Sequence, residues 1–127
     1  MSNDASTLFE RLGGPEGVRS IVEEMYRRVL EDPALAPFFV NVELDQLKRM
    51  QFAFLASALD GPANYTGSEL TEAHRGKGIT ARHFALFCGH FADAMELAGA
   101  PKTDIEQALG RLALYKDRIT GDTNVDG

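Results

Sequence analysis

The apolar residues of this chain recur in steps of three and four along most of its length, and that period leaves room for little but helices. Val18, Ile21, Val22, Met25, Tyr26, Val29 and Leu30 share one face at about 100° per residue. Leu44, Leu47, Gln51, Phe54, Leu55 and Ala58 repeat the pattern, as do Phe84, Phe87, Cys88, Phe91, Ala94, Met95 and Ala98. A last set runs through Ile105, Ala108, Leu109, Leu112, Tyr115 and Ile119. No stretch alternates polar and apolar residues as a strand would. Four longer helices with short ones between them predict an all-α fold, one domain over residues 1–127, with loose tails at 1–6 and 121–127.

The breaks between these helices are written in turn-forming residues. Residues 7–12 suit a short helix that Gly13-Gly14 stops, and Pro15 fits the first turn of the next, where its missing N–H costs little. Asp32-Pro33 ends that helix, and the proline in Leu35-Ala36-Pro37-Phe38-Phe39 predicts a tight turn delivering two aromatics inward. Residues 60–67 are dense in turn formers, and 68–73 allow a turn or two of helix. Thr80 reads as an N-cap, and Gly99 with Pro101 closes the helix it opens. Thr103-Asp104-Ile105-Glu106 has the form of a capping box.

Charge and cysteine content exclude several function classes. A net charge of -6, with Arg27-Arg28 as the longest basic run, is no nucleic-acid footprint. The single cysteine, Cys88, cannot form an internal disulfide and reads as a small buried apolar residue. Residues 1–6 lack the apolar core of a signal peptide, and no apolar run approaches a membrane span, so a cytoplasmic protein is expected.

Three residues carry the chemistry. Gln51 lies in the middle of an apolar stripe, where an amide without a partner costs roughly 1–3 kcal/mol; it is either bonded to backbone or turned toward a ligand. Tyr26, at the edge of its helix's apolar arc, can bury its ring while its hydroxyl seeks a partner. His74 stands in Ala73-His74-Arg75-Gly76-Lys77-Gly78-Ile79-Thr80, where two glycines let the backbone come close to something large and flat. His83 and His90 fall to one flank of their stripe and read as structural or surface groups. There is no phosphate-binding glycine loop, no His pair at i, i+4 and no Cys-x-x-Cys.

Over residues 8–119 the chain resembles the group I truncated haemoglobins. The resemblance rests on Leu12-Gly13-Gly14, Tyr26-Arg27-Arg28-Val29-Leu30, Ala36-Pro37-Phe38-Phe39, Leu47-Lys48-Arg49-Met50-Gln51, Gly61-Pro62-Ala63-Asn64-Tyr65-Thr66-Gly67 and the stretch around His74, with His83-Phe84 behind it. Each block is weak alone; their order and spacing together are specific. The resemblance implies a two-over-two helical sandwich around one haem b, with His74 as the proximal iron ligand and Phe39 packed on the porphyrin face. Tyr26 and Gln51 match the family's distal pair, with Leu47 where many globins carry a histidine. Leu47, Phe54, Leu70, Ile79, Phe84 and Lys48 are implied as further haem-binding positions. Lys48, Arg75 and Lys77 either meet the propionates or are solvated charges.

Some positions depart from the family pattern. Asp60 replaces a common glycine and Leu70 a frequent methionine, and Met50 stands where some relatives close the sixth iron site with a histidine. No histidine lies in the last helix, so covalent haem attachment is not expected; the absence of tryptophan argues against groups II and III. The resemblance implies binding of dioxygen, nitric oxide and carbon monoxide by a monomer or weak dimer, for oxygen binding and transport or for nitric oxide detoxification. The alternatives are a dedicated nitric oxide dioxygenase with a separate electron-donating reductase, and a haem-free helical interaction domain.

Overall fold

The computed structural model describes residues 7–60 and 78–116, which form five α-helices, one 3₁₀ helix and, among the described residues, no strand. The all-α expectation therefore holds. His74, Leu70, Arg75, Lys77 and Ile119, the short helix expected at 68–73 and both tails lie outside the described residues.

Thr7 opens α1 (Leu8–Arg11) with a reciprocal capping box: its hydroxyl accepts the Glu10 N–H, and the Glu10 carboxylate accepts the Thr7 N–H. The chain then turns through Gly13, whose φ of 107° lies in the region that favours glycine. Pro15 enters the first turn of α2 (Gly14–Leu30) as expected. This helix buries Val18, Ile21, Val22, Met25, Tyr26 and Val29. Leu30, placed on that face by its spacing, is 37% exposed, because the helix ends there and its last side chain overhangs the core.

A turn follows in which Asp32 accepts the Ala34 N–H, and it leads into the 3₁₀ helix Ala36–Phe39. Its two phenylalanines are half-buried rather than sunk in the core. The helix α3 (Leu44–Ala58) is capped by Glu43, whose carboxylate accepts the Gln46 N–H. It buries Phe54, Leu55, Ala56 and Ala58, while Gln51 and Leu47 stay half-buried one and two turns earlier.

Thr80 caps α4 (Ala81–Leu97) as expected, but its reciprocal partner is His83, whose Nδ1 accepts the Thr80 N–H at 3.1 Å. The capping box expected at Thr103 does not form. The N-cap of α5 (Lys102–Ala113) is Pro101, with ψ 152° and no side-chain cap, so Thr103 falls inside the first turn. One residue on, Asp104 is buried at 7% exposure and taken by Arg11 at 3.1 Å, a contact that goes with the earlier start of the helix.

Two pairs, α2 with α3 and α4 with α5, pack across each other, with α2 lying most extensively on α4. The side chains of Met25, Val29, Leu59 and Met95 are fully enclosed between them, each contributing about 1.5–3 kcal/mol relative to exposure. The short α1 packs on α2 and α5, and the Phe9 N–H reaches the Leu59 carbonyl at 2.9 Å beyond the end of α3. No helix among the described residues is long and apolar enough to cross a membrane.

Candidate functional site

The helical period brings Tyr26 and Gln51 together as their positions on two apolar faces suggest. Tyr26, in the penultimate turn of α2, is only 2% exposed. Its hydroxyl donates to Gln51 Oε1 at 3.0 Å, across the α2–α3 contact. Gln51 is thus neither bonded to backbone nor idle: its oxygen is taken, and its amide N–H groups find no acceptor among the described residues. A half-buried amide with donors to spare, one turn along from half-buried Leu47, is a polar point on an otherwise apolar wall.

Aromatic rings complete that wall. Phe39 from the 3₁₀ helix meets Tyr26 edge-on, with centroids 5.7 Å apart and planes at 81°. Phe87 from α4 meets the same ring at 6.2 Å and 66°. Phe39, Leu47 and Phe87 all lean on the core while keeping part of their surface uncovered. Nothing in the pattern of α4 separated Phe87 from the ordinary core residues around it, and sequence reasoning left it there.

The other expected haem-binding positions make contacts of their own. Phe54 and Phe84 are core residues, Phe54 with its ring edge-on to Tyr115 at 5.1 Å. Ile79 is half-buried just before the Thr80 cap. The Lys48 ammonium pairs with Glu23 at 2.9 Å across α2 and α3, an exposed bridge of the kind worth at most about 1 kcal/mol. His74 and Leu70 lie outside the described residues.

The remaining titratable groups near α4 hold structure. His90 Nε2 lies 2.8 Å from Asp32 Oδ2, tying the middle of α4 to the turn after α2. That bond, with the Ala34 N–H, holds the Asp32 carboxyl below the usual carboxylate range. His83, besides its part in the cap, meets the Phe38 ring edge-on at 4.9 Å. Both histidines are structural, as their flank position indicated. Burial pushes the Cys88 thiol up to about 11, which keeps it protonated and unreactive at neutral pH.

Half-buried apolar side chains beside one fixed hydrogen-bonding pair suit an apolar ligand that presents an acceptor to the Gln51 amide. A family model described as "Bacterial-like globin" matches residues 7–121. The chain belongs to this globin family. Among relatives, the globin is 41% identical to the group 1 truncated hemoglobin GlbN of Mycolicibacterium paratuberculosis over 94% of this chain and 88% of that one. It is 29% identical to the Fe(III) form of the truncated hemoglobin from Tetrahymena pyriformis, with a TM-score of 0.85 covering 90% of this chain and 97% of that one. Chlamydomonas reinhardtii THB1 matches at a TM-score of 0.77 and 31% identity, over 91% and 97%.

The truncated-globin fold expected from the sequence is therefore the fold of this chain, a two-over-two arrangement of helices. Membership also makes the globin a haem-binding protein. The residues described fit that group on their own chemistry: Phe39, Leu47 and Phe87 offer apolar contact, and the Gln51 amide offers donors that no described residue takes up.

Proposed function

We propose that this globin binds dioxygen, and other diatomic gases, at haem b held by His74, and that Tyr26 and Gln51 govern how tightly the gas is kept. The observation that carries the reading is the 3.0 Å bond from the Tyr26 hydroxyl to Gln51 Oε1, which leaves the amide N–H groups without an acceptor among the described residues. Haem supplies the ferrous iron at which a diatomic gas binds.

The chain supplies the rest. Tyr26, its ring enclosed by Phe39 and Phe87, anchors the Gln51 carbonyl and so aims the amide N–H groups away from α2. A donor aimed at a ligand that gathers negative charge is worth more than a neutral bond, about 1.5–3 kcal/mol. Leu47, one turn before Gln51, carries no atom able to coordinate iron and leaves that side open to the gas. Phe39 and Phe87 keep bulk water from the polar pair.

Such a site serves oxygen binding and transport, and equally nitric oxide detoxification. In the second case dioxygen and nitric oxide combine with one electron from a separate reductase to give nitrate. We place the globin in the cytoplasm as a monomer or weak dimer.

Absorption spectra as isolated, after dithionite and after carbon monoxide test the first claim: a Soret band that shifts at each step is expected, and none even after added hemin sinks it. Stopped-flow mixing of the oxygenated protein with nitric oxide tests the reaction. Rapid loss of the oxygenated spectrum to a ferric one is expected, and a slow change removes the detoxification reading.

A further inference from the structure

The direction in which Tyr26 points depends on the rings packed against it as well as on its own helix. Two side-chain torsions place its hydroxyl, and the bond to Gln51 weakens steeply as its angle opens. Among the described residues, two rings that meet Tyr26 edge-on restrain these torsions, Phe39 and Phe87.

The two restraints differ in stiffness. Phe39 ends a four-residue 3₁₀ helix with no buried residue. Phe87 sits inside a 17-residue helix, between buried Phe84 and Phe91, on the element that packs most extensively against the helix carrying Tyr26. Phe87 is therefore the fixed reference for the Tyr26 ring, and Phe39 follows. Neither the apolar period nor the fold requires a ring there; Leu or Met would fill the same stripe.

We propose that Phe87 is a positioning residue that determines ligand selectivity: by fixing the Tyr26 ring it fixes the Tyr26–Gln51 bond, and with it the preference for dioxygen over carbon monoxide. The inference rests on the reading of Tyr26 and Gln51 given above. Dioxygen gains from a nearby donor because it gathers charge, whereas carbon monoxide gathers little and gains little. A loosened pair therefore penalises one gas and spares the other.

The test uses the haem-loaded protein with Phe87→Ala, Phe87→Leu, Tyr26→Phe and each Phe87 change combined with Tyr26→Phe. Dioxygen and carbon monoxide dissociation are measured by stopped flow, and the C–O stretching band of the carbon monoxide form by infrared absorption. Phe87→Ala is expected to speed dioxygen loss on the order of fivefold, the worth of one aromatic contact, with carbon monoxide loss nearly unchanged and a broadened C–O band. In the Tyr26→Phe background the same change should do nothing further. If Phe87→Ala speeds loss of both gases equally, or acts to the same extent with and without the Tyr26 hydroxyl, Phe87 is ordinary packing and the inference is overturned. If Tyr26→Phe alone changes neither rate nor band, the distal pair itself fails. Phe87→Leu keeps most of the bulk without the ring, and is read against the same outcomes should Phe87→Ala not fold.

Discussion

The Tyr26 hydroxyl has one proton, and it goes to Gln51. At 3.0 Å the phenol donates to the amide oxygen, so the two residues act as one group with its donors on the amide side. A pair arranged in series differs from two parallel donors in what happens when each is removed. Tyr26→Phe should leave the amide unanchored, and Gln51→Leu should remove it. Each is expected to speed dioxygen dissociation by about 10- to 100-fold, the range of a charge-assisted bond. The double variant should be no more than a few-fold faster than either single one. Stopped-flow rates that multiply in the double variant would mean the two residues act independently.

Asp32 gives the fold a predictable acid limit. His90 and the Ala34 N–H hold its carboxyl below the ordinary range, so the charged form is favoured more in the folded chain than in the unfolded one. The resulting stability is fully present above the unfolded aspartate value of about 3.9, and is lost as pH falls through the lower folded value. The difference between wild type and Asp32→Asn in thermal unfolding should be full at pH 6, shrink as pH falls below about 4, and vanish below the lower folded value. Parallel curves across that range would show that the pair does not couple to folding.

Arg111 closes the open end of α3. Its guanidinium donates to the Ala58 carbonyl at 2.8 Å and to the Asp60 carboxylate at 2.7 Å, and Asp60 itself has a positive φ of 70°. A cation on a helix's last carbonyls is favourable, and the fork shape of arginine lets it hold both acceptors. Arg111→Ala should cost about 1 kcal/mol, and Arg111→Lys should recover less than half of it, since an ammonium is a single point charge. Denaturant midpoints for the three proteins check this; full recovery with lysine would reduce the contact to simple charge.

Two glycines predict opposite outcomes for the same substitution. A Cβ at Gly17 would lie 2.4 Å from the Leu12 carbonyl oxygen, a backbone atom that has nowhere to move while α1 is docked. Gly17→Ala should destabilise by more than about 2 kcal/mol. A Cβ at Gly89, in the exposed middle of α4, meets nothing within 4 Å. Gly89→Ala should stabilise by about 0.5–1 kcal/mol, because it removes unfolded-state freedom at no steric cost. Urea unfolding of both variants decides, and a stable Gly17→Ala protein would contradict the close approach.

Sequence patterns foretold whatever depended on period and on local chemistry. The spacing of Val18 to Val29 located α2 and its buried face, Pro15 located its start, and Thr80 the start of α4. Tyr26 and Gln51 stood out because polar atoms on apolar faces need partners, and each proved to be the other's. What period could not show was competition between distant residues. Thr103 had the right neighbour for a capping box, yet Arg11, far away along the chain, claims Asp104 and the helix opens at Pro101. His83 answers Thr80 with a ring nitrogen where a carboxylate was the familiar partner. Phe87 looked like one more core residue, since nothing local says which ring it will touch.

The docking of α1 also bears on how the chain is made. Residues 8–11 are synthesised well before several groups that hold them: the Leu59 carbonyl that takes the Phe9 N–H, and Asp104 and Gln107, which take the Arg11 guanidinium. Leu8 and Phe9, which also lean on α2 and, through Phe52, on α3, are therefore only partly covered on the ribosome until α5 has emerged. The rings and the amide of the Tyr26–Gln51 corner, supplied by residues 26–87, are all present before then. The corner can assemble first, and the earliest residues of the described fold lock it last.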